Sequence, residues 1–425
     1  MDAEEQSPEA TEVIAALSHE RLVRGQLTDL LDESASERGD LLGLVRLRIR
    51  DITEAARLLT AKVDLLSEEQ RSKVTRTERP VEPLDQVLWS IRALVAADNA
   101  GWQPTIGKNR VVSLTISGRV AHGNVGDPEP VTSQQHWPTR GAGPGGGVQV
   151  GVIDTGLAPH AWLAGGWTGQ YSDLLPTAES YSASAGHATF VSGLILDRAP
   201  GANIHVHQLL EADTGEADAW TAAKAIVEMG RTGIDVLNLS FVCYTGDGDA
   251  PMAIATAVDR LDPGIVVVAA AGNHGELEGD AGKRPAWPAA LDDVVAVGAS
   301  RSDRQLADFT PRDAPWIDVL APGADVTSTF LEGQVRRLKP KEDEEPERTF
   351  SGYARWSGSS FATALVSGQI AAGAVPGRVT ARESWDNILA TVRRRQEGAT
   401  PVLDLPNLKA VQSDGQGASL RTRPA

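Results

Sequence analysis

The sequence predicts an α/β fold in which a parallel β-sheet lies between layers of helices. Between residues 148 and about 395, short runs of Val, Ile, Ala and Leu alternate with helical patterns. Continuous apolar strands separated by helices are typical of a parallel sheet covered on both faces. The composition, 41% hydrophobic and 23% charged, is ordinary for a globular protein of 425 residues. The predicted strands are VQVGVID, ANIHVHQLL, IDVLNLSFV, GIVVVAAAGN, DVVAVGA and WIDVLAPG, and the predicted helices are ADAWTAAKAIVEMG and APMAIATAVDRLD.

An α-helical region is predicted before this sheet, over residues 12–75. From Leu42 to Leu66, apolar residues are spaced alternately three and four apart, as at the a and d positions of a coiled coil. A similar but interrupted run precedes it, and the segment SASERGD between the two runs has turn chemistry. Two interpretations stay open, an intramolecular helical hairpin and a coiled coil that forms a homo-oligomer or binds a partner protein.

Residues 81–147 have a different character and predict a small α/β segment followed by a Gly-rich linker. The segment LDQVLWSIRALVAA has a helical pattern, and Val111, Val112, Leu114 and Ile116 indicate a strand. The run TRGAGPGGG lacks the Gly-Lys-Ser/Thr ending of a phosphate-binding loop, so a linker is favoured. The predicted organisation is a helical region at 1–80, this segment at 81–147, the main domain at 148–395 and a C-terminal tail at 396–425.

Charge and hydropathy argue against several classes of protein. A net charge of −17 disfavours a general nucleic-acid-binding surface, which needs clustered Lys and Arg. No apolar stretch approaches the roughly 20 residues that a membrane-spanning helix needs. The acidic N-terminus lacks the features of a secretory signal, so a cytoplasmic location is expected.

Three segments carry residues suited to nucleophilic catalysis. Asp154 ends the strand VQVGVID, where ligands and catalytic groups of parallel sheets gather. His187 precedes a helical pattern of small residues that allows close packing against the sheet. Ser360 lies at the start of a second small-residue helix, where the helix dipole favours developing negative charge. Each residue alone has a structural explanation: a turn Asp, a buried His and an N-cap Ser.

Together, the segments VIDTGL, GHATFVSG and SGSSFATALVSG resemble the three signature motifs of the subtilisin-like serine peptidases, in the order Asp, His, Ser. A fourth segment, VVVAAAGNHG, resembles the oxyanion asparagine motif of the family and contains Asn273. The resemblance implies a subtilisin-like three-layer fold. It also implies a serine endopeptidase with Asp154, His187 and Ser360 as its triad and Asn273 as an oxyanion donor.

No cofactor or metal site is predicted from the sequence. The metal-binding motif HExxH is absent, and the eight histidines are scattered. Calcium sites are common in the family, but no ligand cluster in this sequence can be assigned to one.

The resemblance also implies a substrate pocket with two walls. One wall consists of Ser240, Phe241 and Val242, in which Val242 replaces the usual glycine and predicts a preference for small or modest side chains. The opposite wall consists of Ala270, Ala271 and Gly272. The adjacent Cys243 is expected to be a small buried apolar residue, with a redox-sensitive thiol as the alternative.

Two functions from different classes follow from these features. The first is an endopeptidase that performs restricted intracellular processing of polypeptide substrates, with residues 81–147 as a prodomain that is cleaved between 130 and 147. The second is a catalytically silent protein of the same fold that acts through its N-terminal helices. The complete set of four motifs favours the enzyme.

Overall fold

The computed structural model of the chain describes residues 8–74, 78–114, 125–131, 143–338, 345–395 and 400–403. These residues form an N-terminal unit, which ends at residue 108, and a larger C-terminal unit, which begins at residue 125. The elements of the N-terminal unit are α1 (Pro8–Thr11), β1 (Glu12–Ala16), α2 (Glu20–Gln26), β2 (Leu31–Gly39), β3 (Leu44–Ile49), α3 (Ile52–Asp64), α4 (Glu68–Arg71), α5 (Pro83–Asp98) and β4 (Ile106–Lys108).

The N-terminal unit is an antiparallel sheet with the strand order β2-β3-β1-β4 and helices against one face. Side chains of β1 alternate between two cores, as the pleat of a strand requires. Val13 and Ala15 pack in the core that contains α3 and α5. Ile14, between them, belongs to the core of the C-terminal unit. The sheet therefore has helices on one face and the C-terminal unit on the other.

The helical region predicted over residues 12–75 contains the helices α2, α3 and α4, but the heptad pattern from Leu42 to Leu66 is not one continuous helix, because its first half is strand. Leu42 lies in the turn before β3, and Val45 and Ile49 lie on β3 itself. Leu44 and Leu47, which the heptad pattern does not include, are also buried. Since β3 is the inner strand of a sheet covered on both faces, apolar residues occur on both of its sides. Only the second half of the pattern forms a helix, α3.

Two related predictions also need correction. The segment SASERGD, predicted to be a turn, lies mostly in β2, which is paired with β3 across an irregular register. The predicted boundary at residue 80 divides a single unit, because β4 pairs with β1 and α5 packs on α3. The helix predicted at LDQVLWSIRALVAA is confirmed as α5.

The C-terminal unit contains the remaining elements. After the linking strand β5 (Val111–Leu114), they are β6 (Glu129–Pro130), β7 (Gln149–Asp154), β8 (Trp167–Thr168), β9 (Ser180–Ser182), α6 (His187–Arg198), β10 (Asn203–Gln208), β11 (Glu216–Asp218), α7 (Ala219–Gly230), β12 (Val236–Leu239), β13 (Phe241–Val242), α8 (Met252–Asp259), β14 (Val266–Ala270), β15 (Val294–Ser300), β16 (Val319–Pro322), β17 (Val326–Arg336), β18 (Glu347–Trp356), α9 (Ser359–Gly373) and α10 (Ala381–Arg395).

A seven-stranded parallel sheet with the order β16-β15-β14-β12-β7-β10-β8 is the centre of this unit. The predicted parallel sheet flanked by helices is thus confirmed. The chain leaves β7 to one side for β10 and crosses to the other side for β12, so β7 is the topological switch point. Ligands of open α/β sheets bind at the carboxyl end of the strands at such a point. Asp154 is the last residue of β7.

Two buried helices, α6 and α9, pack closely against each other beside this edge. A Cβ atom on Gly368 would lie 2.7 Å from the Ile195 carbonyl oxygen, so only glycine permits this distance between the helices. On α6, a Cβ atom on Gly193 would lie 2.2 Å from the Thr329 hydroxyl oxygen of β17. The small residues of both motifs are therefore explained by packing that fixes the two helix starts.

The two units are joined by β5, which pairs antiparallel with β11 on one side and β13 on the other. Apolar contacts add to this pairing, because Leu42 and Leu44 of the N-terminal unit are buried in the core of the C-terminal unit. Each such side chain stabilises the contact by about 1.5–3 kcal/mol. The side-chain amide of Asn109 donates to Glu12 at 2.7 Å and to Asp218 at 3.0 Å, so it links the units at the start of α7.

Several sequence predictions extend past the described residues. Ile116, residues 132–142 of the predicted linker and most of the predicted tail, 404–425, lie outside them. The short described part of that tail pairs with the sheet, where Leu320 N–H donates to the Pro401 carbonyl at 2.7 Å. Among the described residues, no helix combines the length and the apolar character needed to cross a bilayer.

Candidate active site

Asp154 and His187 meet in a fully buried contact at the edge of the parallel sheet. His187 Nδ1 lies 2.8 Å from Asp154 Oδ1 and 2.9 Å from Asp154 Oδ2, and both side chains are 0% exposed. A carboxylate at this distance accepts the Nδ1 proton, which leaves Nε2 as the basic nitrogen. Nε2 is buried and has no hydrogen-bond partner in the described part of the chain.

The residues next to Asp154 and His187 fix the positions of these two side chains. Thr155 N–H donates to Asp154 Oδ1 at 2.7 Å and fixes the carboxylate. The Thr155 hydroxyl accepts the Ala188 N–H at 3.1 Å, which ties the end of β7 to the first turn of α6. His187 is the first residue of α6, so these bonds set the position of its ring.

Ser360 is the second residue of α9 and lies beside the end of β12. Its hydroxyl donates to the Ser240 carbonyl at 3.0 Å, and the Ser240 hydroxyl donates to the Ser360 carbonyl at 3.1 Å. Asn238 donates to the Ser240 hydroxyl at 2.9 Å, so the reciprocal pair is held from within the sheet. All three side chains are buried, which makes these bonds costly to break.

Asn273 follows β14 and contacts the start of α9. Its Oδ1 accepts the Ser359 N–H at 2.9 Å. This bond determines which side of the amide is oxygen, and it directs the NH₂ group to act as the donor. The Asn273 side chain and the N-terminus of α9 therefore lie on the same edge of the sheet as Asp154.

Aromatic rings enclose His187. The Trp356 ring lies edge-on at a centroid distance of 6.1 Å, and the Phe361 ring lies at 5.5 Å. Both rings are buried, as is Phe190, which packs against each of them. Trp356 and Phe361 were not singled out in the sequence. The position of Phe361 next to Ser360 is the signal that could have pointed to it.

The residues predicted to form the pocket walls lie on or directly beside two strands, β13 and β14. Phe241 and Val242 form β13, which is buried and pairs with β5. Ala270 ends β14, and Gly272 follows with a φ of +90°, a left-handed conformation that favours glycine. Ala271 N–H donates to the Val297 carbonyl at 3.0 Å, so this wall is fixed to the neighbouring strand β15.

Cys243 is buried between these strands, and its backbone exchanges hydrogen bonds with Trp287 at 2.7 and 3.0 Å. Burial raises the pKa of its thiol, which disfavours the reactive thiolate. These properties agree with a small buried apolar residue.

The strand β5 occupies the cleft between β11 and β13. Its register pairs Ser113 with Val242 and Leu114 with Phe241, next to Ser240. Leu114 N–H also donates to the Gly215 carbonyl at 2.8 Å, on the β11 side. An extended segment held between two strands in this way has the geometry of a bound peptide. The alternating apolar pattern predicted a strand here but gave no indication of its partners.

Acidic, His and Cys side chains do not gather into a metal-binding group of three or more anywhere in the described part of the chain. The absence of an assignable calcium site therefore stays a prediction. Asp154 and His187 are engaged with each other, so the site's own chemistry is that of a buried carboxylate, an imidazole and a hydroxyl.

Comparison with known proteins identifies relatives of the C-terminal unit. A family model described as the subtilase family matches residues 145–398. Subtilisin BL of Lederbergia lenta is 31% identical over 255 residues, which are 57% of this chain and 80% of that protein. The minor extracellular protease Epr of Bacillus subtilis (strain 168) is 31% identical over 213 residues, and the match covers 48% of this chain and only 30% of Epr.

Among solved structures, the chain is similar to a cold adapted subtilisin-like serine proteinase. The two are 21% identical, with a TM-score of 0.48, and the match covers 67% of this chain and 95% of the other.

Proposed function

Because this chain belongs to the subtilase family of serine peptidases, we propose that it cleaves peptide bonds in protein substrates by acyl transfer to Ser360. The observation that carries the proposal is the buried contact of His187 with both oxygens of Asp154, beside the start of α9. A carboxylate, an imidazole and a hydroxyl in this order are the groups that convert a serine into a nucleophile.

In the proposed reaction, the Ser360 hydroxyl turns from the Ser240 carbonyl toward His187 Nε2. Ser360 Oγ then forms a bond with the carbonyl carbon of the substrate, while His187 takes the hydroxyl proton. His187 gives this proton to the leaving amine as the peptide bond breaks, and water repeats the sequence to release the acid. Asp154 holds the Nδ1 proton and stabilises the imidazolium throughout.

Negative charge that develops on the substrate oxygen would be stabilised by two donors. One is the NH₂ group of Asn273, whose orientation is fixed by the bond to Ser359. The other is the Ser360 backbone N–H at the N-terminus of α9, where the helix dipole adds a favourable field. Donors that are fixed before the reaction stabilise the transition state without reorganisation.

Replacing Asn273 by alanine is expected to lower kcat by about 100- to 1,000-fold with little change in KM, because the lost donor acts in the transition state. Steady-state kinetics on a peptide substrate measures this. Asn273→Asp keeps the acceptor for Ser359 N–H but replaces the donor, so it should lose at least as much. The matched control is Asn387→Ala on the exposed side of α10. A loss of less than tenfold in both Asn273 variants would exclude the oxyanion role.

A covalent probe tests the proposed function directly. A fluorophosphonate reacts with a serine hydroxyl only when a neighbouring base activates it. We expect the wild-type protein to be labelled, and mass spectrometry to locate the probe on the peptide that contains Ser360. Folded protein that is not labelled, with or without its N-terminal unit, would contradict the proposal.

We also propose that the N-terminal unit together with β5 is a prodomain that occupies the cleft until the enzyme cleaves itself. Support comes from β5, which fills the space between β11 and β13 in an extended conformation. The next described segment, residues 125–131, already belongs to the peptidase unit. Its Gly126 carbonyl accepts the Trp356 indole N–H at 3.1 Å, and β6 pairs with β18. The junction between the two units therefore falls between residues 114 and 125.

Self-cleavage is accordingly expected between Leu114 and residue 125, earlier than the range 130–147 that the sequence alone indicated. Intact-mass measurement and N-terminal sequencing of the purified protein give the position. The Ser360→Ala variant should stay a single chain of 45.0 kDa. A new N-terminus within 130–147, or cleavage of the Ser360→Ala protein under the same conditions, would show that this junction is not the self-cleavage site.

The physiological role that we propose is restricted processing of particular proteins. A peptidase with this role should cut few bonds in a panel of unrelated denatured proteins, as gel electrophoresis of timed digests would show. Equal degradation of the whole panel would contradict it. The predicted cytoplasmic location stays a prediction, which cell fractionation tests.

A further inference from the structure

Tyr244 and His274 form a polar pair between the two pocket walls. The Tyr244 hydroxyl lies 2.8 Å from His274 Nδ1, and the rings meet edge-to-face at a centroid distance of 4.6 Å. His274 Nε2 lies 2.9 Å from the Arg284 carbonyl, which can only accept, so Nε2 carries the proton and Nδ1 accepts from Tyr244. The direction of each hydrogen bond in the pair is therefore fixed.

The pair of Tyr244 and His274 extends from the first pocket wall, which contains Val242, to the second, which contains Gly272. Tyr244 lies two residues after Val242 on the first wall. On the second wall, a Cβ atom on Gly272 would lie 2.4 Å from the Tyr244 hydroxyl oxygen and 2.7 Å from His274 Nδ1. Both groups thus fill the space that a side chain of Gly272 would take. The Tyr244 hydroxyl therefore reaches the backbone of the second wall at Gly272.

Both hydrogen-bonding functions of the hydroxyl are used within the protein. It donates to His274 and accepts the backbone N–H of Asn273. Burial raises the pKa of the Tyr244 hydroxyl and lowers that of His274 to about 4, so both groups are neutral at neutral pH. The pair therefore presents an uncharged ring surface.

Tyr244 is also held firmly in place. The preceding residue, Cys243, is fixed by its two backbone hydrogen bonds to Trp287, and the following residue, Thr245, is 2% exposed. His274 is 1% exposed. A ring anchored on both sides and hydrogen-bonded at its tip cannot turn aside without the loss of buried hydrogen bonds.

We propose that Tyr244, held by His274, is the residue that limits the substrate pocket to small side chains. This inference rests on the proposed function and concerns the side chain immediately before the scissile bond. It assigns the restriction to Tyr244, whereas the sequence had pointed to Val242. The sequence that follows Leu114 begins Thr-Ile-Ser-Gly, so the proposed self-cleavage segment supplies small residues for such a pocket.

Peptide p-nitroanilides that differ only in the residue before the scissile bond test this inference. For the self-cleaved wild-type enzyme, kcat/KM should be at least tenfold higher for Ala than for Phe at this position. Tyr244→Ala should raise the ratio of Phe to Ala cleavage by about tenfold or more, because the ring no longer closes the pocket. Tyr244→Phe keeps the ring and should change the ratio by less than about threefold.

Controls separate this inference from the proposed function. Tyr171→Ala, at a tyrosine that is 90% exposed, should leave the ratio unchanged. If Tyr244→Ala does not fold, Tyr244→Val, which also removes the ring, gives the same comparison. A wild-type enzyme that cleaves the Phe substrate as well as the Ala substrate overturns the inference alone. The inference alone is also overturned if the ratio of Phe to Ala cleavage stays unchanged in Tyr244→Ala or Tyr244→Val protein that is folded and labelled by the probe. A wild-type protein that neither labels nor cleaves overturns both proposals.

Discussion

Replacing Ser360 by alanine is expected to lower turnover of a peptide substrate by about a millionfold, the loss known for subtilisin itself when its nucleophile is removed. The variant keeps Asn273, the N-terminus of α9 and the substrate cleft, so a weak residual acceleration over water should persist. What it loses is the atom that forms the acyl bond. Fluorophosphonate labelling should disappear completely, because the probe reacts with the same oxygen.

The experiment must allow for the N-terminal unit. A Ser360→Ala protein cannot cleave itself, so its cleft would stay occupied by β5 for a reason unrelated to turnover. Treatment with a trace of affinity-tagged wild-type enzyme, which is then removed, gives a cleaved variant for comparison.

The matched control is Ser359→Ala, the neighbouring serine. Its side chain is equally buried, and its hydroxyl has no hydrogen-bond partner in the described structure, so its removal should cost little activity. Equal losses in the two variants would show that disturbance of α9, and not the missing nucleophile, lowers turnover.

The central sheet and the site residues could be predicted because their signals are local. The central strands β7, β12, β14 and β15 are buried along almost their whole length, and each is an apolar run in a single segment. Asp154 ends such a run, and Ser360 lies in the first turn of a helix whose small residues are required by its close contact with α6. The start of a helix, the end of a strand and a pattern of small residues are each contained in about ten consecutive residues. A single sequence is therefore enough to find them.

The sequence did not predict the N-terminal sheet, because the apolar residues of β3 and α3 together have the spacing of a heptad repeat. On β3, Val45, Leu47 and Ile49 face α3 and α5 with a period of two, but the spacing of three and four from Leu42 to Leu66 passes over Leu47 and so conceals this alternation. Arg46 and Arg48 lie between them and reach Glu12 at 3.9 Å, contacts that only the folded sheet creates. The spacing of three and four then continues by coincidence into α3.

The strand β5 was predicted, but its position in the cleft could not have been, because its partners are remote in sequence. Val111 pairs with Asp218, and Leu114 with Phe241, across more than 100 residues. The contact of Tyr244 with Gly272 is of the same kind. Such pairings depend on the assembled fold, and no local pattern in the sequence encodes them.

Replacing Asp154 by asparagine is expected to lower kcat by about 10,000-fold, the second-largest effect among these variants. Thr155 N–H donates to Oδ1 at 2.7 Å, so the amide oxygen of the new side chain should keep that position. The amide NH₂ then takes the place of Oδ2, 2.9 Å from His187 Nδ1, and this donor competes for Nδ1 with the amide oxygen at the Oδ1 position, 2.8 Å away. A donor there favours the imidazole with its proton on Nε2, and that nitrogen can no longer accept the Ser360 proton.

In Asp154→Asn, kcat from steady-state kinetics and the rate of fluorophosphonate labelling should both fall, because both require the activated Ser360 hydroxyl. The matched control is Asp173→Asn, another buried carboxylate near an imidazole, 3.6 Å from His207 Nδ1. Asp173 accepts backbone N–H groups of Gln170 and Gln208, so its loss should lower the melting temperature and leave kcat close to wild type. If Asp154→Asn lowers stability as Asp173→Asn does but reduces kcat by less than about tenfold, Asp154 has a structural role and does not set the tautomer. A large fall in kcat with a retained fold is the result that a positioned imidazole requires, since only the chemistry depends on which nitrogen carries the proton.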